Sequence, residues 1–281
     1  MKRISIYCLL AFCLIFAASA QQTKQITILQ TSDTHSRIEP IDKHAADQYA
    51  GMGGTVRRAT FVKDFRSKHP DVLLFDCGDI SQGTPYYNLF EGEVEVKMMN
   101  LMGYDAMTIG NHEFDFGLDN MARLFRMANF PVVCSNYDVT GTVLEGLVKP
   151  YIVMKRDGIK IGVFGLAPKM EGLVQADKCE GIVYNDPIAV AQEMADLLNN
   201  KENCDVVICL SHLGFRSRSG ACDEKLVAET KGIDIILGGH SHTFMDKPVV
   251  YLNAAGKSVP LLHTGKSGIY VGELDLTLTE E

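Results

Sequence analysis

The sequence predicts a mixed α/β fold in which two sheets pack face to face and helices cover their outer sides. Three observations carry that expectation. Apolar runs of strand length alternate with helical patterns through the first half of the chain. An Asp157-Gly158 turn between two apolar alternations then introduces a hairpin, which a single doubly wound sheet does not need. Polar clusters begin where β-branched or aliphatic runs stop: Asp33-Thr34-His35, Gly78-Asp79, Asn111-His112, Ser211-His212 and Gly238-Gly239-His240-Ser241-His242. Loops that follow the carboxyl ends of strands gather on one edge of an α/β sheet, so residues distant in sequence can meet there.

The elements follow in order. Ile26 to Gln30 alternates as a strand ending at Thr31-Ser32-Asp33. Gly53-Gly54 opens a helix to about His69, with Val56, Ala59, Val62 and Phe65 at helical spacing and Pro70 as its stop. Val72 to Phe75 is a short buried strand that delivers Asp76-Cys77-Gly78-Asp79. After the Gly83-Thr84-Pro85 turn, one helix runs to about Met102 with Val94, Met98, Leu101 and Met102 inward. Ala106 to Ile109 is a strand and Leu118 to Ala128 a helix; Pro131 introduces the strand Val132 to Ser135.

Tyr151 to Arg156 and Ile159 to Leu166 form the hairpin, and Lys169 to Ile182 is loop-like. Pro187 starts a helix to about Asn200, with Ala191, Met194, Leu197 and Leu198 on one face. Asp205 to Leu210 is a strand ending in Ser211-His212; a polar loop, Arg216 to Gly220, leads to a short helix near Glu224 to Thr230. Ile233 to Leu237 is the strand before Gly238-Gly239-His240, and Val249 to Thr277 is strand and turn. No internal repeat, low-complexity tract or linker interrupts this order, so residues 21–281 read as one domain.

Residues 1–20 read as a signal peptide. Lys2 and Arg3 form a basic start, Ile4 to Phe16 is mostly apolar, and Ala18-Ser19-Ala20 is an A-x-A cleavage site. The apolar run is short for a membrane span, so the expected product is an exported protein, periplasmic or extracellular. Loss of Lys2 and Arg3 moves the formal net charge from −8 to −10. That excess argues against nucleic-acid polymers and anionic membranes as partners, and leaves a small anionic substrate held by local cations.

Six cysteines follow the signal: Cys77, Cys134, Cys179, Cys204, Cys209 and Cys222. None forms a C-x-x-C pair, which excludes a zinc ribbon. Cys77, Cys134 and Cys209 lie in apolar runs as buried thiols. Cys179, Cys204 and Cys222 lie in polar surroundings, where one disulfide is open in an oxidising compartment.

A single His at a strand end is usually a satisfied polar residue; five such loops are different. Asp33 and His35, two residues apart in an extended segment, point the same way and can share a cation. Asp79 offers two oxygens and can bridge two cations, while Asn111 offers a neutral carbonyl oxygen. His240 and His242 repeat the two-residue spacing. Asp, His and Asn converging in this way are donors for a two-metal hydrolytic site. Glu113 and Asp76 read as structural. Arg57 and Arg58 decorate a helix, and His44, His69 and His263 have surface or packing roles. Asp115 reads either as a partner of His112 or as the N-cap of the following helix.

The segments Asp33-Thr34-His35, Gly78 to Gly83, Gly110 to Asp115, Ser211 to Gly214 and Gly238 to Thr243 closely resemble those of the calcineurin-like metallophosphoesterases, and within them the 5′-nucleotidase family. The resemblance spans essentially the whole chain after the signal. It implies a four-layer α/β/β/α sandwich and two divalent metal ions, with Zn²⁺ or Mn²⁺ suiting the mixed donors. It also implies that Asp33, His35, Asp79 and His242 hold one metal, and that Asp79, Asn111, His212 and His240 hold the other. His112 would stabilise or protonate the leaving group, oriented by Asp115. The reaction so implied is phosphate release from nucleotides by an activated water.

Full-length members of that family carry a C-terminal nucleotide-binding domain after the metal domain, whereas this chain ends at Glu281. A separate chain carrying that domain is therefore an expected partner, with a wider substrate range as the alternative. Two other readings stay open: a cyclic-nucleotide phosphodiesterase or UDP-sugar pyrophosphatase on the same scaffold, and a non-catalytic metal-binding partner of another chain. The signal makes a direct prediction: N-terminal sequencing of the exported protein begins at Gln21, and retention of Met1 in that fraction refutes cleavage.

Overall fold

The computed structural model describes residues 23–279; the apolar leader lies outside the described residues. The chain begins with β1 (Thr23–Thr31), α1 (Thr55–Lys68), β2 (Leu73–Asp76), α2 (Pro85–Phe90) and α3 (Glu93–Met102). β3 (Ala106–Thr108), α4 (Gly117–Met127), β4 (Val132–Val133), β5 (Tyr137–Asp138) and β6 (Val148–Lys149) come next. The second half holds β7 (Tyr151–Arg156), β8 (Ile159–Leu166), β9 (Val183–Tyr184), α5 (Pro187–Asn200), β10 (Val206–Ser211) and α6 (Asp223–Glu229). It closes with β11 (Ile235–Gly238), β12 (Val249–Leu252), β13 (Ser258–His263) and β14 (Gly272–Thr279).

One sheet has the order β14-β1-β2-β3-β4-β6, and a second the order β12-β13-β11-β10-β8-β7. In the first, β1, β2, β3 and β4 are mutually parallel, and in the second β8, β10, β11 and β13 are. β7 and β8 form the expected antiparallel hairpin, with Tyr151 opposite Phe164 and Arg156 opposite Ile159. β14 returns antiparallel to β1, so the end of the described chain closes the first sheet.

Burial follows the layers. Ile28, Leu73, Phe75 and Val133 of the first sheet pack with Ile161, Val163, Ile208 and Leu237 of the second. On the outer side of the first sheet, Val62, Val96, Met99, Met121 and Leu124 bring α1, α3 and α4 onto Leu29, Leu74 and Met107. On the outer side of the second, Ala191, Ala195, Leu198, Leu226 and Val227 bring α5 and α6 onto Val207, Cys209 and Ile236. The result is the four-layer α/β/β/α sandwich. Among the described residues, no helix is long and apolar enough to cross a membrane.

Several local expectations are corrected. The helix expected from Pro85 to Met102 breaks at Glu91 and Gly92, both left-handed with φ of 53° and 92°. Because α3 restarts at Glu93, its buried face is Glu95, Val96, Met99 and Met102, while Leu101 is 79% exposed. On α1, Val56 is 75% exposed, and Arg58 is buried instead of decorating the surface. All six described cysteines are free thiols, and Cys222 is buried with Cys77, Cys134 and Cys209. Cys179, Cys204 and Cys222 are all free, so no disulfide forms among the described cysteines.

The two sheets approach closely at Gly165 in β8. A Cβ there would stand 2.2 Å from the Val133 carbonyl oxygen and 2.4 Å from Thr108 Oγ1, and backbone cannot yield as a side-chain tip can. Gly165→Ala is therefore expected to lower the unfolding free energy by about 1–3 kcal/mol, the range for overpacking a filled core. Urea unfolding checks this, and an unchanged midpoint refutes it.

Candidate metal centre

β1 and β2 of the first sheet and β10 and β11 of the second all end at one place. Thr31-Ser32-Asp33 leaves β1, Cys77-Gly78-Asp79 leaves β2, Ser211-His212 ends β10 and Gly238-Gly239-His240 ends β11. The two sheets meet directly: His212 Nε2 lies 3.0 Å from Asp79 Oδ2 and 3.9 Å from Asp33 Oδ1. Asp33 Oδ1 is also 3.5 Å from His242 Nε2 and 4.0 Å from His35 Nε2. Asp33, Asp79 and His212 are almost wholly buried.

The donor atoms fall into overlapping groups, each with all its atoms within 4.8 Å of one another. One is Asp33, His35 and His242; another is Asp79, His212 and His240; a third joins His35, Asp79 and His112. Asn111 is buried beside His112, and its Oδ1 has no protein donor. Every expected metal donor is thus brought to this junction or stands next in sequence to a residue that is.

The backbone that aims these groups is unusual. Asp33, His35, Asp79, His240 and His242 have φ of 50°, 45°, 55°, 73° and 51°, the left-handed region that non-glycine residues disfavour by roughly 1–2 kcal/mol each. The Asp33–His35 segment is therefore a coiled loop, not the extended one expected. Hydrogen bonds hold the strain: the Asp33 and His35 N–H groups donate to the Gly78 and Asp79 carbonyls, at 2.9 and 3.1 Å. The His240 N–H donates to the Asp33 carboxylate at 3.0 Å. Left-handed residues clustered at one site are a mark of functional constraint.

Glu113 organises the loops after β2 and β3. Its carboxylate accepts the N–H groups of Asp79 at 3.0 Å, Ile80 at 3.0 Å and Gly110 at 2.6 Å. Only glycine fits at position 110, where a Cβ would stand 2.2 Å from Asp79 Oδ1. That same Asp79 oxygen accepts the His112 N–H at 2.8 Å, so Asp79 is held from two sides. Asp76 accepts from Thr31 Oγ1 and the Gly78 N–H, a structural role as expected.

Asp115 sits at the end of the 3-10 turn His112–Phe114, and α4 begins two residues later with Phe116 as its cap. The N-cap reading for Asp115 is therefore set aside. Its Oδ2 lies 3.0 Å from His112 Nδ1, which leaves Nε2 of that ring free.

The protonation preferences follow from burial and from the charges these groups place on one another. Burial, only partly offset by His212, pushes Asp33 up to about 7. Burial opposes ionisation of Asp79 as well, but the surrounding imidazoles pull it below the ordinary carboxylate range. His212 rises to about 10 despite burial, because Asp79 and Asp33 face it. His240 and His242 are lowered to about 4, by burial first and then by His212 and His35 respectively. Burial works against a charged His112, yet its Asp115 contact and Asp79 raise it.

A divalent cation fits this donor set. His212 and His35 each rest Nδ1 against a backbone carbonyl, of Cys77 and Ser81, which directs Nε2 inward as outer partners of metal-binding histidines do. The His212 Nε2 and Asn111 Oδ1 atoms are buried without hydrogen-bond partners, although His212 Nε2 has Asp79 close by in poor alignment. His35 and His242 bring their Nε2 atoms to 2.9 Å, close enough to share a proton or one cation.

One feature escaped the sequence. Asp223 accepts from Ser211 Oγ and lies 2.7 Å from His263 Nε2, forming a buried network beneath the His212 and His240 loops. Its members are spread over three elements, so no local pattern marks them. His44 is exposed and His69 stacks on Phe65 at 4.5 Å, as surface and packing residues should.

Residues 26–244 match the calcineurin-like phosphoesterase family. A snake venom 5′-nucleotidase of Crotalus adamanteus is 32% identical over 96% of this chain and 48% of its own length. The 5′-nucleotidase precursor of Thermus thermophilus superposes with a TM-score of 0.82 at 30% identity, over 90% of this chain and 51% of that one. Calcineurin-like phosphoesterase YfkN of Bacillus subtilis superposes with a TM-score of 0.75 at 26% identity, over 92% and 87% respectively. The chain spans about half the length of the curated relatives it matches.

Because Glu113 holds three loop N–H groups, Glu113→Ala is expected to leave them unpaired and destabilise the fold by about 3 kcal/mol or more. Divalent metal affinity should fall by roughly 10- to 100-fold. Urea unfolding and equilibrium dialysis against Zn²⁺ or Mn²⁺ test the two effects, and unaltered metal uptake would show that Glu113 does not shape the centre.

Proposed function

Because the chain belongs to the calcineurin-like phosphoesterase family, we propose that it is a dinuclear-metal phosphoester hydrolase that releases phosphate from nucleotides, a 5′-nucleotidase-type phosphatase. The observation that carries this reading is the sharing of Asp79 between donor groups from both sheets, with the His112–Asp115 pair at their edge. In it, Asp33, His35, Asp79 and His242 hold one cation, and Asp79, Asn111, His212 and His240 hold the other. Zn²⁺ or Mn²⁺ suits these nitrogen and oxygen donors. When bound, such a pair supplies charge for the phosphoryl oxygens and lowers the pKa of the attacking water.

The chain's own groups do the rest. Asp115 holds Nδ1 of His112, fixing the ring and favouring its charged form, so that Nε2 carries a proton toward the departing ester oxygen. Asp79, held by the His112 N–H, ties that ring's backbone to the centre, so acid and cations keep a fixed separation. Glu113 holds the loops that carry Asp79 and Asn111 without facing the reacting atoms. A phosphatase needs a leaving-group acid and a metal-storage or scaffold protein does not, so His112 and Asp115 favour the catalytic reading. Residues 1–20 as an export signal and 21–281 as one catalytic domain complete the proposal.

His112→Ala is expected to retain both metals while kcat toward AMP falls by about 10²–10⁴-fold. An aryl phosphate, whose leaving group needs less protonation, should lose less. Metal analysis and phosphate release across AMP, UDP-sugar, a 2′,3′-cyclic nucleotide and an aryl phosphate check this. A metal-loaded parent protein inactive on all four sinks the hydrolase reading.

A further inference from the structure

Behind the loop that carries Asp33 and His35 lies a small cavity of about 10 Å³, whose walls include none of the candidate metal donors. Thr34, Ser36 and Arg37 line it from the loop, Thr55 and Arg58 from α1, and Glu95 from α3. Five buried polar atoms of these residues have no hydrogen-bond partner in the protein: Ser36 Oγ, Arg37 Nε, Arg58 Nε and both Glu95 carboxylate oxygens. Leaving one such atom unpaired costs about 1–3 kcal/mol. Several around one cavity call for a shared partner.

Glu95 is the least expected member. A glutamate in the first turn of a helix ordinarily stays in water and complements the helix dipole. Glu93 does this, paired with Lys97 at 2.6 Å. Glu95 is instead 4% exposed, because the restart of α3 after Gly92 turns it inward. Burial raises its pKa, and the Ser36 hydroxyl, close by without a direct hydrogen bond, offsets this only in part. Ser36 follows His35, and both are left-handed, with φ of 51° and 45°. The Ser36 N–H donates to the Ile80 carbonyl at 2.8 Å, and its carbonyl accepts from Thr84 Oγ1 at 2.8 Å. Its hydroxyl is left to the cavity.

We propose that the cavity is the site of one buried water, and that Glu95 is a positioning residue: through that water and Ser36 it keeps the loop in the conformation that aims Asp33 and His35 at their cation. The inference rests on the cation placed above at Asp33, His35, Asp79 and His242. The size of the cavity admits a single water and no polyatomic ion. The charges point the same way, since a bare cation would meet two guanidinium groups and a halide would meet the carboxylate. A water accepts from an arginine N–H while donating to Glu95, which neither ion can do. The left-handed residues of the loop cost roughly 1–2 kcal/mol each. A bracket behind them opposes relaxation to commoner backbone angles.

The test needs no turnover. The full chain is stripped of metal and titrated with Mn²⁺ by calorimetry, and the parent protein should take up two cations. Glu95→Leu should weaken one of the two by roughly 10- to 100-fold and leave the other unchanged. Glu95→Gln, which keeps an oxygen toward the cavity, should bind both as the parent does. Ser36→Ala should weaken the same cation as Glu95→Leu, and it decides the matter if the leucine variant does not fold. A high-resolution crystal structure of the parent should show one ordered water bonded to Glu95 and to Arg37 or Arg58. A dry cavity overturns the proposal, as does parent-like uptake of both cations by the leucine and alanine variants. Equal weakening of both cations marks a general loosening of the fold and also overturns it. A parent protein that takes up no divalent cation sinks the metal reading itself, and the positioning role falls with it.

Discussion

The approach of His212 to Asp79 is the contact on which the structure turns. The histidine ends a strand of one sheet and the aspartate follows a strand of the other, and both are buried. An ionised carboxylate away from water is costly unless positive charge stands beside it. Here the positive charge comes from across the sandwich, so the packing of the inner layer and the electrostatics of the site are one problem. The apolar contacts between Phe75 and Val133 on one side and Val163 and Ile208 on the other hold the sheets where the charged groups can meet.

The same constraint explains the strained loops. An extended strand would put Asp33 and His35, or His240 and His242, on one face but roughly 6.5–7 Å apart along the chain, a wider spacing than the donors of one cation need. Left-handed backbone at these positions turns the side chains inward, and hydrogen bonds from neighbouring loops hold the unfavourable conformations. Glu113 is central because one carboxylate satisfies N–H groups from two separate loops. Beneath the second sheet's loops, Ser211, Asp223 and His263 do similar work by tying β10, α6 and β13 together.

Helix phases were the least legible part of the sequence. The pattern of apolar residues after Pro85 fits one long helix, but Gly92 lies where a side chain would strike Leu124, and the chain restarts there with a shifted face. Arg58, like Arg57 beside it, looked like a surface residue because a basic residue on a helix usually is one. Its burial depends on what other elements place above α1, which spacing along one helix does not encode.

By itself the sequence determined the alternation of strands and helices, the β7–β8 hairpin and the residues at each strand end, because backbone periodicity, turn chemistry and motif spacing are local properties. It also placed Asp33, His35, Asp79, Asn111, His112, His212, His240 and His242 in the loops that matter. Only the tertiary structure decided which atoms face one another: that Asp79 is shared between donor groups, and that Asp115 serves His112 instead of capping α4. Those outcomes depend on how two sheets stack and how loops bend at their edge. They are set by burial and by hydrogen bonds between segments far apart in the chain.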